Sequence, residues 1–309
     1  MKIGVVIDAS CDLPRTFIDE HGLVVLPGLL EFGDKEVVDI RDPTDTLAVY
    51  RRYIADKSLV SRSRALDVEQ IKDLFLDELV LKFDRVLVLC VSGTRGRVFN
   101  HATEASYSIL QGYRERRQQA GLEGQFALRV LDTGSVGPGE GVLAHETVRL
   151  ISEDSPPFEK LRRTVKDMAQ KVVCLTVPSD LWYLQNRARA KGETSMTLSV
   201  YRMGRVLDIK PILEMQQGQS RVVGQAKGFD RAVSRVLDDA RQVMSRGHIH
   251  PVVAMSFGGD PRIIREMSAY QEFEAFAAIH KCRLHLSVMS ATMAVNVGPG
   301  AFALAYIRE

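Results

Sequence analysis

The chain has 309 residues, of which 45% are hydrophobic and 26% charged, and its formal net charge is +2. That is the balance of a globular protein, too long for one small core and suited to two domains of about 150 residues each. It offers no electrostatic reason to expect a nucleic-acid or acidic-membrane partner, and no apolar run approaches the roughly 20 residues that cross a bilayer. Asp8 interrupts the N-terminal apolar run too early for a signal peptide. Cys11, Cys90, Cys174 and Cys282 are far apart and form no CxxC pair. Three of them lie in apolar runs, the pattern of buried thiols in a reducing cytoplasm. A soluble cytoplasmic protein is expected.

In chain order, Ile3, Val5, Val6 and Ile7 make a run that fits a buried strand. Asp8-Ala9-Ser10-Cys11-Asp12 breaks it, and Pro14 stands where a proline starts a helix. Strand, polar loop and helix form the βα unit of an open α/β sheet, whose ligands sit at the carboxyl ends of the strands. Leu23 to Leu26 reads as a strand, and Glu36-Val37-Val38-Asp39 as a more exposed one. Asp42-Pro43 caps a helix carrying Leu47, Tyr50 and Ile54 on one face. Val60-Ser61-Arg62-Ser63-Arg64 reads as a polar loop. Asp67 caps a helix with Ile71, Leu74, Phe75 and Leu79 at helical spacing. Val86 to Val91 has the continuous apolar character of a strand buried on both faces and ends in Ser92-Gly93-Thr94. A helix follows from about Arg97 to Ala120. Phe126 to Leu131 is a strand that ends in Asp132-Thr133-Gly134-Ser135, and Gly141 to Ile151 is helical. Adjacent parallel strands would bring the three polar loops to one edge.

Ser155-Pro156-Pro157 is the strongest boundary signal and divides the chain into domains 1–156 and 157–309. Beyond it come a helix over 158–170, a strand from Val172 to Val177 and a short helix from Ser179 to Leu184. Arg187 to Gly192 is basic and placed on a bend. Val222 to Ala226 is a strand, Phe229 to Met244 a helix and Pro251 to Met255 a strand. Asp260 and Pro261 start a helix. Cys282 to Val288 alternates as a strand, and Gly298-Pro299-Gly300 is a rigid turn before the strand Ala301 to Ile307. The fold class is α/β, with a mostly parallel N-terminal sheet flanked by helices and a mixed C-terminal half.

Few residues point to chemistry on their own. Ser92, His101 and Asp132 supply the residue types of a triad, but no GxSxG elbow accompanies them. His248 and His250 lack a carboxylate or cysteine at ligand spacing and read as exposed strand-edge residues. Gly137 to Gly141 has the wrong spacing for a dinucleotide fingerprint and reads as a helix-entry loop. Trp182 and Tyr183 read as a core edge, and Arg187 and Arg189 as a solvated face.

Taken together, the residues resemble the DegV family of bacterial lipid-binding proteins over the full length. Asp8-Ala9-Ser10-Cys11-Asp12-Leu13-Pro14 is similar to that family's D-S-T-A-D-L-P. Leu207-Asp208-Ile209-Lys210-Pro211-Ile212-Leu213 is similar to L-x-I-K-P-I-L, and Gly298-Pro299-Gly300-Ala301 to G-P-G-A. Asp132-Thr133 resembles its D-S, and Tyr183-Leu184 followed by Arg189 its Y-L-x-x-G-G-R. The resemblance implies a two-domain α/β fold with a long-chain fatty acid buried between the domains. It implies a non-catalytic carrier that presents the acyl carboxylate to a partner kinase, with no metal or cofactor. The head-group residues it implies are Ser61, Arg62, Ser92, Thr94, Arg189 and Asn296, with Asp8, Ser10, Asp132 and Thr133 in polar loops nearby.

The sequence departs from the family at the head group. Val60 replaces a threonine, Gly96 aligns with a serine, Asn296 with a histidine, and both glycines before Arg189 are lost. Arg62, Arg64, Arg95 and Arg97 appear in loops expected to face the cleft. Either these arginines point to solvent around a rearranged carboxylate site, or the site takes a more highly charged ligand such as an acyl phosphate. A rival from another class is an enzyme acting on a phosphorylated small molecule, with Asp8 and Asp12 holding Mg²⁺. A third reading is a relative that has lost ligand binding.

Overall fold

The computed structural model describes residues 1–59, 61–190 and 208–309, and of residues 188–190 the backbone alone. Val5, Val6 and Ile7 place β1 (Ile3–Asp8) inside a four-stranded sheet with β2 (Val24–Leu26), β6 (Arg85–Cys90) and β7 (Ala127–Asp132), in the order β2-β1-β6-β7. Every pairing in it is parallel. β6 is buried from Val86 to Cys90, as its unbroken apolar run requires when helices cover both faces. Parallel pairing sets the carboxyl ends of β1, β6 and β7 side by side, as expected, and hydrogen bonds tie their loops. The Val91 amide donates to Asp8 Oδ2 at 2.6 Å, and the Gly93 amide to Asp132 Oδ2 at 3.1 Å.

A separate antiparallel sheet, in the order β4-β3-β5, joins β3 (Gly28–Phe32), β4 (Lys35–Asp39) and β5 (Ser61–Ala65). Here the structure corrects the sequence reading: the expected polar loop at 60–64 is a strand from Ser61 onward, and β3 lies between it and β4. Ser61-Arg62-Ser63-Arg64 carries no apolar side chain, so pairing with β3 rather than propensity makes it a strand. Val60 lies outside the described residues.

The third sheet holds β8 (Val172–Val177), β9 (Ile209–Gln216), β10 (Gln219–Lys227), β11 (Ile249–Phe257), β12 (Arg283–Val288) and β13 (Phe302–Arg308). Their order is β10-β9-β8-β13-β11-β12, mixed in direction, with only β11 and β12 parallel. Caps are where the residues place them: Asp42 accepts from the Thr44 and Asp45 amides, and Asp67 forms a capping box with Gln70. The helix expected from Ser179 to Leu184 instead runs Leu181–Ala190 and takes in the basic stretch read as a bend, whose last two residues lie outside the described residues.

Two helices fill the space between the larger sheets. Pro138–Arg149 buries Val142, Leu143 and Ala144. Phe158–Ala169 buries Phe158, Leu161, Val165 and Met168, one stripe at helical spacing. One hydrophobic core then runs from Val5, Ile7 and Leu87, through these helices, to Cys174, Val252, Ala305 and Ile307. All four cysteines are free and buried. Among the described residues no helix is long and apolar enough to cross a membrane.

Polar side chains also lock the halves together. Asp12, fully buried, accepts from Ser256 Oγ at 2.6 Å and from the Ser290 amide at 2.8 Å. The guanidinium of Arg41 lies 3.4 Å from Asp12 Oδ1 and donates to the Val288 carbonyl at 3.0 Å. Asp39 accepts from the amide and hydroxyl of Thr292. On the far side of the shared core, His250 on β11 lies 3.0 Å from Glu146 of the helix Pro138–Arg149. His250 is thus a tie between elements, not the exposed edge residue expected.

Two outcomes follow from these ties. Asp12→Ala leaves Arg41 buried without its counter-charge, which costs about 3–5 kcal/mol; urea unfolding at pH 7 should show that loss without a change in slope. Burial alone would raise the Glu146 carboxyl, but hydrogen bonds from His250 and Arg149 bring it from 4.5 down to about 2. Its stabilisation is therefore complete above about pH 4.5 and lost as pH falls toward 2. Glu146→Gln should flatten the acid side of the stability profile by up to about 3 kcal/mol, measured by unfolding between pH 5 and pH 2.

Candidate functional site

Between the four-stranded and six-stranded sheets lies a cleft of about 400 Å³. Each wall is set by the periodicity of its element. β9 contributes Leu213 and Met215, two residues apart on one strand face. The helix Leu181–Ala190 contributes Leu184 and Arg187, three apart. The helix Ala291–Val297 contributes Met293, Asn296 and Val297, and Thr292 beside them. From the N-terminal side come Ala9 and Ser10 after β1, Ser63 and Ala65 on β5, Val91 after β6, Val136 after β7, and the segment Arg95–Val98. Most of this surface is apolar; its cationic lining comes from Arg64, Arg95, Arg97 and Arg187, with His101 also in the wall.

Arg95 is half-buried, with one guanidinium nitrogen 3.7 Å from Met215 Sδ, and its carbonyl lies 3.5 Å from Arg187 Nη2. Arg97 is exposed at the entrance. Among the described residues no carboxylate pairs with Arg95 or Arg97. His101 sits one turn into the helix Val98–Ser108, three residues after Val98, so both face the cleft. Its Nδ1 lies 2.7 Å from the Leu66 carbonyl. A carbonyl only accepts, so Nδ1 carries the proton there and Nε2 is left for a ligand.

The expected residues divide. Asp8, Ser10 and Asn296 line the cleft. Asn296 donates to the Thr292 carbonyl at 2.9 Å, which leaves its amide oxygen available. Ser61 shares a strand face with Ser63 but is not part of the lining, and Arg62 is exposed on the opposite face of the pleat. Arg64 borders the cleft, yet its guanidinium pairs with Glu31 and Glu36 at the surface. Ser92 and Thr94 are also outside the lining. Ser92 Oγ and Thr94 Oγ1 are 3.0 Å apart, and Thr94 Oγ1 donates to the Gly218 carbonyl at 2.7 Å. The two hydroxyls pin the β9–β10 turn instead, where Gly218 has φ +77° and a Cβ would press on Thr94. Asp132 accepts the Gly93 and Gly134 amides, and Thr133 donates to the Cys90 carbonyl. Ser92, His101 and Asp132 each bond elsewhere, so no triad forms. The side chain of Arg189 lies outside the described residues.

Asp8 and Ser10 belong to a buried acidic knot. Asp8 accepts the Ser10 and Val91 amides, and Glu140 accepts the Asp8 amide and Ser10 Oγ. Burial pushes Glu140 well above the usual carboxylate range, with the nearby Asp8 adding to the effect, and burial also raises Asp8. Each oxygen of Asp8 and of Asp12 already accepts from a protein donor. That leaves them poorly disposed to hold a cation.

Two of the sequence motifs meet at one contact. Gly298, with φ +89°, lies against the Tyr183 ring so closely that a Cβ would sit 2.4 Å from it. Tyr183 in turn donates to the Ile54 carbonyl at 2.8 Å. The turn and the helix that carries Leu184 and Arg187 are thereby fixed relative to each other.

The DegV family model matches residues 2–309. DegV domain-containing proteins of Xanthomonas axonopodis pv. citri and Xanthomonas campestris pv. campestris are each 35% identical over 309 residues, covering 100% of this chain and 98% of theirs. Among solved structures, a stearic-acid-binding protein from Eubacterium ventriosum superposes with a TM-score of 0.78 at 19% identity, over 99% of this chain and 98% of that one. DegV from Bacillus subtilis, described as a fatty-acid-binding protein, has a TM-score of 0.75 at 16% identity, over 100% of both chains.

Proposed function

We propose that this chain, which belongs to the DegV family, binds a long-chain fatty acid or related acyl lipid in the cleft between its two larger sheets. The observation that carries the reading is the pairing of apolar walls from both sheets with Arg95 and Arg97, two guanidinium groups that no carboxylate among the described residues neutralises. A methylene moved from water onto such walls contributes about 0.8 kcal/mol. A guanidinium fork fits a carboxylate with two parallel hydrogen bonds. Structural neighbours described as fatty-acid-binding proteins support the same ligand class.

In this proposal Arg95, Arg97 and His101 hold the head group, with Ser63 and Asn296 beside them. Ser92 and Thr94 act at one remove, by holding the β9–β10 turn against the cleft. The protein is a carrier and not a catalyst: its buried acids are spent on backbone amides and hydroxyls. Exposed Gly96 and Arg97 leave the head-group end open to a second protein, which supports presentation of the acyl carboxylate to a partner kinase. Four free buried cysteines support residence in a reducing cytoplasm.

Protein purified without added lipid should carry a fatty-acid mass by native mass spectrometry. Oleate affinity, read by displacement of a fluorescent fatty acid, should fall about 10- to 100-fold in Arg95→Ala with Arg97→Ala, the loss expected for charge-assisted hydrogen bonds. Leu213→Trp should block the chain and leave the fold intact by circular dichroism. Oleate binding equally to the wild type and Leu213→Trp would place the ligand elsewhere.

A further inference from the structure

One side chain in the wall of the acyl cleft presents an acceptor where an anion needs donors. His101 Nδ1 lies 2.7 Å from the Leu66 carbonyl and donates to it, so the neutral imidazole shows a bare lone pair at Nε2. That nitrogen has no partner among the described residues and is not sealed from solvent, so a ligand in the cleft can reach it. We propose that anion binding in this cleft is proton-linked: each head group is taken up with one proton from water, carried on His101 Nε2, and the imidazolium then donates to a ligand oxygen. This deepens the acyl-lipid reading, on which it rests, by adding a proton to the complex and a dependence on pH.

Local geometry brings His101 to the anion. The His101 amide donates to the Arg97 carbonyl at 2.9 Å, so the two residues lie one helical turn apart on one face, and both line the cleft. A head group held by Arg97 is therefore within reach of the imidazole. A neutral Nε2 would there set one lone pair against another and leave a charged acceptor unmet. Protonation replaces that opposition with a charge-assisted hydrogen bond.

The protein itself supplies no counter-charge for that proton. The charged groups on the elements packed against the helix Val98–Ser108 are Asp67, Glu69, Lys72 and Asp73, at or beyond the cap of the helix Val68–Leu74, and Arg129 and Asp132 of β7. Glu104 follows His101 on its own helix, and Asp8 is the acid of the cleft lining, among Arg64, Arg95, Arg97 and Arg187. Among the described residues no carboxylate pairs with the imidazole. Glu69 pairs with Lys72 at 2.6 Å, Asp67 accepts the Gln70 amide, and Asp132 and Asp8 accept backbone amides. The imidazolium thus gains its counter-charge from the ligand, in the pH range where imidazole changes charge.

Titration calorimetry of the full chain, freed of bound lipid, tests the link with oleate and with dodecyl sulfonate, an anion that stays ionised throughout. Near pH 7, heats measured in PIPES and in Tris, whose ionisation heats differ, should report about 0.5–1 proton taken up per molecule of either ligand. Affinity should be highest at the acid end and fall between about pH 6.5 and pH 8, by up to about tenfold per pH unit, because the complex keeps the proton where the free protein loses it. His101→Asn, whose amide can still donate to the Leu66 carbonyl, should bind the sulfonate with no uptake and a flat profile. Uptake with oleate but not with the sulfonate would put the proton on the lipid carboxyl, and uptake that survives His101→Asn would put it on another group; either overturns the proposal. Binding with no uptake overturns it as well and leaves the acyl-lipid reading standing. Failure of both ligands to bind the wild type brings down that reading and the proton link together.

Discussion

One buried carboxylate holds this architecture together. Asp12 comes from the loop after the first strand, yet every group that satisfies it comes from elsewhere: Ser256 and Ser290 from the six-stranded half, and Arg41 from the end of the small antiparallel sheet. A charge taken out of water is tolerated only where partners surround it, so the position of each partner is fixed by the need to meet it. Burial pushes the Asp12 carboxyl up, and the charge of Arg41 and the bonds from Ser256 and Ser290 work against that push. Three segments distant in sequence are thereby set in register around one loop.

The cleft follows from that registration. The helices Pro138–Arg149 and Phe158–Ala169 fill the middle of the space between the sheets with Val142, Leu143, Leu161 and Val165. Toward the carboxyl ends of β1, β6 and β7 the helices give way to loops, and the loops do not close the space. What remains is lined by the outer faces of β9 and of two short helices, apolar because those faces carry Leu213, Met215, Leu184 and Met293. The arginine-bearing segment at 95–97 borders the opening. A greasy interior beside a cationic rim is thus a by-product of where two packed layers stop meeting.

Much of this was legible in the residues, and the failures are instructive. The parallel order of β1, β6 and β7 follows from apolar runs that each end in a small polar loop. Asp42-Pro43 and Asp67 mark helix starts because their side chains meet amides that nothing else can meet. β5 was missed because Ser61-Arg62-Ser63-Arg64 earns its strand only by pairing with β3. The same error displaced the arginines: once the segment is pleated, Arg62 and Arg64 turn to the surface while Ser63 turns inward. Hydroxyls at Ser92 and Thr94 looked like ligand groups, and the turn at Gly218 that consumes them is more than a hundred positions away in the chain. His101 did carry a signal, its three-residue spacing from Val98 just after an arginine-rich loop, but only as a member of a triad that does not form.

The continuous interior has a kinetic meaning. Opening the sheets like a book would strip Val142, Leu143, Leu161 and their neighbours of one side of their surroundings, at about 1.5–3 kcal/mol for each large side chain exposed. Exchange of the proposed acyl guest by such a hinge would therefore be slow. In the proposed function its path would instead pass the rim at 95–97, where the exposed Arg97 side chain can reorient on the nanosecond scale.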